Sequence, residues 1–188
     1  MTQATAPATG LDRMIDGARL ATRRGPAPVH LWHPAHCGEI DIVIRRDGTW
    51  RHEGAPIARE ALVRLFASVL RKDPDGYHLV TPAEKLRITV EDAPFVAVRV
   101  DPIGQALRFE TNVGDVVEAG HDHAIRIAAD PQTGAPRPYL HVRHGLEALI
   151  ARPVFYELAA LAQPRETPLG PRLGVTSSGA WFDLEPAP

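Results

Sequence analysis

One cysteine, Cys37, is the whole thiol content of this 188-residue chain. That excludes an internal disulfide framework and any zinc site made of cysteines alone. Lysine is nearly missing too, with only Lys72 and Lys85 among 21 basic residues. An arginine bias alongside abundant alanine and proline reflects a GC-rich genome better than a need for forked carboxylate contacts. Neither sign of charge dominates, since 23 acidic residues leave a formal net charge of -2. Nucleic acid and anionic membranes are therefore not expected partners. No apolar run approaches the ~18 residues a membrane-spanning helix needs. Met1 to Gly10 has neither a charged leader nor an apolar stretch, so no signal peptide is read there. The absences leave a cytoplasmic, soluble protein of one domain or two small ones, with an ordinary globular composition.

What is present is a run of strand, turn and helix signals. Leu11, Met14, Ile15 and Ala18 fall at helical spacing within 11–21, while the first ten residues and 185–188 are expected to fray. Ile40, Ile42 and Ile44 alternate as in a strand, Asp47-Gly48 is a tight-turn dipeptide, and residues 49–52 suit the returning strand. Leu62, Val63, Phe66, Val69 and Leu70 mark one face of a helix that Asp73-Pro74-Asp75-Gly76 stops. Three alternating segments follow, around Ile88, Val98 and Phe109, and predict consecutive antiparallel strands of one meander. A short strand at Val116 and Val117 comes next, after a reversal at Asn112 to Gly114. Ile125 and Ile127 alternate, Asp130 to Gly134 turns the chain, and Tyr139 to Val142 runs extended. Leu146 to Leu161 is apolar at helical spacing, with Pro153 kinking it or opening a second segment. A final hairpin turns at Ser177-Ser178-Gly179.

The order strand, turn, strand, helix occurs twice. Glu60-Ala61-Leu62-Val63 follows the turn glycine Gly48 much as Glu147-Ala148-Leu149-Ile150 follows Gly134. This pairing suggests an internal duplication.

The residues with chemistry to offer are few. Histidines come in three close pairs: His33 with His36 beside Cys37, His121 with His123, and His141 with His144. Such spacings occur in metal sites, but no complete ligand motif accompanies them, and surface or capping roles suit them better. Cys37 precedes Gly38 and a strand, so no helix dipole would activate its thiol. Nucleophile elbows, dinucleotide loops and phosphate loops are missing, and the carboxylates show no paired spacing. Trp32, His33, Tyr139, Arg143 and Asn112 remain as an aromatic platform with polar groups to orient a ligand. Trp50 and Trp181 suit the core better.

Several runs together resemble the bacterial domain-of-unknown-function family 1285. Trp32-His33-Pro34-Ala35-His36-Cys37-Gly38-Glu39-Ile40-Asp41 and Asp47-Gly48-Thr49-Trp50 are similar to its opening. Leu79-Val80-Thr81-Pro82-Ala83-Glu84-Lys85, Asp92-Ala93-Pro94-Phe95, Thr111-Asn112-Val113-Gly114-Asp115 and Ala151-Arg152-Pro153-Val154-Phe155-Tyr156-Glu157-Leu158 continue it in order. His36 lies outside the family pattern. The resemblance implies an α+β fold of two related small domains, the second superficially like a pleckstrin-homology barrel. It also implies a ligand or partner site where the domains meet, and a part in signal transduction.

The reading that follows is an N-terminal extension over 1–28, α+β domains over 29–84 and 85–184, and a tail over 185–188. Function is expected to be non-enzymatic binding of a small molecule or protein partner, with no cofactor, no bound metal and no catalytic set. Trp32, His33, Cys37, Asn112, Tyr139 and Arg143 are the candidate binding residues. The rival is a metal-dependent hydrolase built on a His/Cys cluster.

Overall fold

The computed structural model describes residues 10–22, 27–130, 132–168 and 170–185. Most of the two ends expected to fray, and part of the Asp130 to Gly134 turn, lie outside the described residues. The chain divides into two units, Met1–Glu91 and Asp92–Pro188.

In the first unit, helix α1 (Gly10–Thr22) buries Met14 and Ala18, one turn apart on the face that packs on helix α2 (Glu60–Ser68). Gly17 lets this helix approach closely, since a Cβ there would sit 3.1 Å from the Thr81 methyl. A 3-10 turn (Val29–Leu31) leads into β1 (His36–Ile44), β2 (Trp50–His52) and β3 (Ala55–Pro56). After α2 come β4 (Leu70–Asp73), β5 (Gly76–Val80) and β6 (Glu84–Val90). The six strands form one sheet in the order β3-β2-β1-β6-β5-β4, antiparallel except where β1 meets β6. Ile42, Ile44, Leu79 and Phe66 are fully buried, and Trp50 stacks on Phe66 with ring centroids 6.4 Å apart.

The second unit opens with β7 (Phe95–Ile103), β8 (Ala106–Thr111) and β9 (Val116–Glu118). It continues with β10 (Ile125–Ala129), β11 (Pro136–Arg143) and β12 (Leu146–Ile150), then α3 (Arg152–Leu161). Its sheet order is β10-β11-β12-β7-β8-β9, with β12 and β7 parallel. A three-stranded sheet follows: β13 (Gln163–Thr167), β14 (Gly170–Ser177) and β15 (Ala180–Asp183). The buried Ser177 hydroxyl accepts from Leu107 N at 2.8 Å and donates to Ala119 O at 2.7 Å, which pins β14 to the larger sheet. The α+β fold of two small domains is thus in place.

Three expectations need correction. Val69 to Arg71 do not extend the helix: α2 ends at Ser68, and Leu70 pairs with Leu79 in the β4–β5 hairpin. The segment around Ile88 does not join the following meander, because β6 lies between β1 and β5 in the first sheet. Leu146 to Ile150 is a strand, not a helix. Its burial alternates along the segment, and His144 and Gly145 both hold positive φ (46° and 77°), as a two-residue hairpin loop requires. Pro153 then sits in the first turn of α3, where its missing N–H costs nothing.

The duplication signature also falls on unlike elements. Glu60 to Val63 is helical, whereas Glu147 to Ile150 is extended. The repeat lies in the topology instead. Each six-stranded sheet is two three-stranded meanders whose first and last strands pair in parallel.

Candidate functional site

Trp32, His33 and Cys37 all belong to the first unit. Trp32 is half-buried, and its carbonyl accepts from Arg71 Nη1 at 2.8 Å, as does that of Val29. His33 and Cys37 are exposed, and the thiol lies 3.9 Å from the Pro34 carbonyl. Along β1, Cys37 is in register with Lys85, which introduces the main polar cluster of this unit. Arg71 Nε and Lys85 Nζ both reach the Asp73 carboxylate, at 2.9 and 2.7 Å. The buried His78 ring stands 3.6 Å from Asp73 and 3.4 Å from Asp75. Burial raises the Asp73 carboxyl, but the Arg71 and Lys85 hydrogen bonds outweigh it and hold the group below its ordinary value. Burial, then Lys85, holds the His78 imidazole below its own ordinary value, against the pull of Asp75 and Asp73.

Among the described residues, Asp73, Asp75 and His78 form the group whose donor atoms fall within 4.8 Å of one another. Asp73 is already clasped by two cations, so the arrangement is an ion-pair network rather than a cation cradle. None of the histidine pairs read from the sequence enters it. His141 Nε2 lies 3.1 Å from Gly145 N and its Nδ1 2.7 Å from Asp122 O, so the ring ties the turn after β11 to the loop before β10. His123 Nδ1 lies 3.1 Å from His141 O, and the two rings stack. His141 and His144 belong to a strand and its turn, not to a helix start.

Asn112, Tyr139 and Arg143 belong to the second unit and hold its architecture. Asn112 clamps Val96 from both sides: its N–H donates to Val96 O at 2.8 Å and its Oδ1 accepts from Val96 N at 2.9 Å. Arg143 pairs with Asp115 and lies over the Phe95 ring, 5.0 Å from the centroid. Tyr139 is 6% exposed, so it offers no open platform. Its hydroxyl donates to Asp92 Oδ1 at 2.8 Å, and the Arg126 guanidinium covers its ring at 4.2 Å.

Arg137 completes this second network. Its Nε donates to Tyr139 Oη at 3.0 Å, Nη1 to Asp130 at 3.1 Å, and Nη2 to Asp92. Asp130 also caps its own turn, accepting from the N–H groups of Thr133 and Gln132 at 3.0 Å each. Those backbone bonds, with Arg137, hold its carboxyl down at about 2. The phenol of Tyr139 is pushed up, first by burial and then by Asp92.

Asp130 and Arg137 of this network line one side of a cleft of about 510 Å³ that the sequence reading missed, with Tyr139 and Asp92 behind them. Leu149 and Pro136 line it from the strands, while Arg152, Phe155 and Tyr156 line it from α3. Arg152 Nε donates to Tyr156 Oη at 2.9 Å, one helical turn away. Arg152 has no ion pair among the described residues. The available signal was the spacing of Arg152 and Tyr156, obscured by starting the helix at Leu146.

The two halves match the family models described as "Domain of unknown function (DUF1285), N-terminal domain" over residues 27–93 and "Protein of unknown function (DUF1285), C-terminal domain" over residues 94–184. A crystal structure of a DUF1285 family protein from Silicibacter pomeroyi DSS-3 is 49% identical, with a TM-score of 0.85 over 96% of this chain and 97% of that one. One from Shewanella baltica OS155 is 28% identical, with a TM-score of 0.51 over 62% of this chain and 87% of that one. No curated protein matches. No helix is long and apolar enough to cross a membrane among the described residues.

Proposed function

This chain belongs to the DUF1285 family, and from that premise we propose that it is a non-enzymatic binding module. It takes a small molecule or a segment of a protein partner in the cleft beside α3. The observation that carries this reading is the fixed charge of the cleft wall. Asp130 stays ionised down to about 2, the Arg137 guanidinium is held charged by Tyr139 and Asp130, and Tyr139 keeps its proton well into alkali. Between roughly pH 4 and 9 none of the three exchanges a proton, whereas acid–base catalysis needs a group poised near the working pH. Fixed donors and acceptors beside apolar walls suit recognition instead. A signalling role in the cytoplasm, where occupancy is passed to a partner, is the role this reading favours.

The test is ligand-observed NMR with a library of organic acids, amines and nucleosides, run on the wild type and on Ala135→Trp. Ala135 is an exposed residue at the cleft, and tryptophan there fills it without touching the core. Compounds that bind the wild type and not the filled variant are expected. No difference between the two proteins across the library would overturn the reading.

A further inference from the structure

We infer that the cleft beside α3 takes an apolar organic monocarboxylate, with Arg152 receiving the carboxylate. This deepens the binding reading and rests on it. Three charged residues line the cleft: Asp130, Arg137 and Arg152. Arg137 spends its guanidinium on Asp92, Asp130 and Tyr139, so its charge is already matched. Asp130 is matched in turn by Arg137 and by its own turn amides. One charge remains to be neutralised, and it is the positive charge of Arg152.

The geometry of Arg152 favours a carboxylate over other anions. Its Nε is engaged by Tyr156 Oη, and the ring of Tyr156 lies 5.7 Å from the guanidinium carbon. Among the described residues the Nη1/Nη2 edge has no partner, and that edge forks a planar carboxylate with two parallel hydrogen bonds. Because Tyr156 already holds the guanidinium, little rotamer freedom is lost on binding. A dianion such as a phosphate monoester would carry a second negative charge toward Asp130, which has no spare cation to offer it. Leu149, Phe155, Pro136 and Pro138 supply apolar walls for the body of the ligand. A volume of about 510 Å³ suits a small molecule rather than a folded partner.

The experiment titrates 3-phenylpropionate, 3-phenylpropan-1-ol and phenyl phosphate by ligand-observed NMR against the wild type, Arg152→Gln, Arg152→Lys and Ala135→Trp. The acid should saturate the wild type, with the alcohol and the phosphate at least tenfold weaker. Arg152→Gln should weaken the acid at least tenfold and leave the alcohol unchanged. Arg152→Lys, which keeps the charge and loses the fork, should fall between them. Arg152 is exposed, so melting temperatures of its variants should match the wild type and separate lost binding from lost folding.

Equal binding of acid and alcohol, or acid binding indifferent to Arg152→Gln, would overturn the monocarboxylate assignment. If Ala135→Trp still abolished binding in that case, the cleft would stand as a binding site for another class. Tighter binding of phenyl phosphate would overturn the charge argument. No binding of any of the three probes would overturn the assignment too, and the library comparison would then decide the broader reading separately.

Discussion

The two six-stranded sheets follow the same strand order, yet they place their helices differently. In the first, α2 bridges the two meanders between β3 and β4; in the second, α3 follows the last strand, β12. The hairpins β4–β5 and β10–β11 are counterparts in this scheme, and both turns begin Asp-Pro, at Asp73-Pro74 and Asp130-Pro131. Each aspartate anchors an arginine, but the surroundings diverge. Around Asp73 the cations come from β4 and β6, and Arg71 reaches on to clasp the Val29 and Trp32 carbonyls, so the network ties down the segment before β1. Around Asp130 the partner comes from β11 alone, and the aspartate faces the cleft. One repeat has used its turn aspartate to lock a chain segment down; the other has left it beside an open wall. The same local motif thus meets different neighbours in the two units, a clasped chain segment in one and a cleft in the other.

The sharpest way to break this comparison is to remove each aspartate in turn. Asp73→Ala leaves the Arg71 guanidinium without its carboxylate and Lys85 with only the more distant Asp75 at 3.9 Å. Removing one partner of a largely buried ion pair costs about 3 kcal/mol, readable as a shift of the urea midpoint. Asp130→Ala leaves Arg137 still paired with Asp92, so its midpoint should move less, while ligand-observed NMR should show a changed cleft. Equal losses of stability in the two variants would contradict the contrast.

Acid should separate the units next. The depressed His78 imidazole takes up its proton more readily in the unfolded chain. The stability it lends is therefore complete above about pH 6.5 and is lost as pH falls through the lower folded value. For Asp130 the contribution stands above the ordinary 3.8 and is lost only as pH falls through about 2. Hydrogen exchange at about pH 7.5 and 5, corrected for intrinsic rates, should show β4 to β6 losing protection while β10 to β12 keep theirs. His78→Gln should flatten the acid response of the first unit. Parallel loss in both units would count against the assignment to His78.

Local turn chemistry made much of this fold legible. Asp47-Gly48 and Ser178-Gly179 marked their hairpins correctly, and the apolar spacing of Met14 and Ala18 placed α1. Misreadings arose where distant pairing overrode local preference. Leu146 to Ile150 contains good helix formers, but a hairpin loop on one side and pairing with β7 on the other hold it extended. Nothing near Ile88 announces that β6 will lie beside β1 rather than β7. The true repeat was written in the two Asp-Pro turns, and comparing Gly48 with Gly134 set unlike hairpins side by side. The candidate residues fared similarly. Tyr139 and Arg143 have the right chemistry for a site, but Asp92 and Asp115, remote in sequence, already engage them. Arg152, by contrast, is recognisable as available only once its neighbours are known.

A smaller effect sharpens the contrast between the networks. Each carries a ring on the middle strand of its hairpin meander: the imidazole of His78 on β5 and the phenol of Tyr139 on β11. Tyr139→Phe removes a hydroxyl that both donates to Asp92 and accepts from Arg137. Leaving those half-buried partners short costs about 1 kcal/mol, seen as a lower melting temperature. Unlike the His78 variant, this loss should be constant across the neutral range, because the phenol keeps its proton there.

The least effect is expected at the rims of the sheets, where a pair of arginines tests whether packing or charge matters. Arg45 pairs with Glu91 at 2.9 Å in the first unit, with its side chain half exposed. An exposed pair of this kind contributes about 0.5 kcal/mol or less, so Arg45→Ala should hardly move the melting temperature. Arg126 forks Glu147 at 2.6 and 2.7 Å and also covers the Tyr139 ring. Its loss exposes one face of the phenol that orders Asp92 and Arg137, so Arg126→Ala should cost about 1 kcal/mol. High salt discriminates the causes. Screening weakens the ionic share, whereas the cover over Tyr139 persists. The difference between the two variants should therefore survive in salt, and its disappearance would reduce Arg126 to another surface charge.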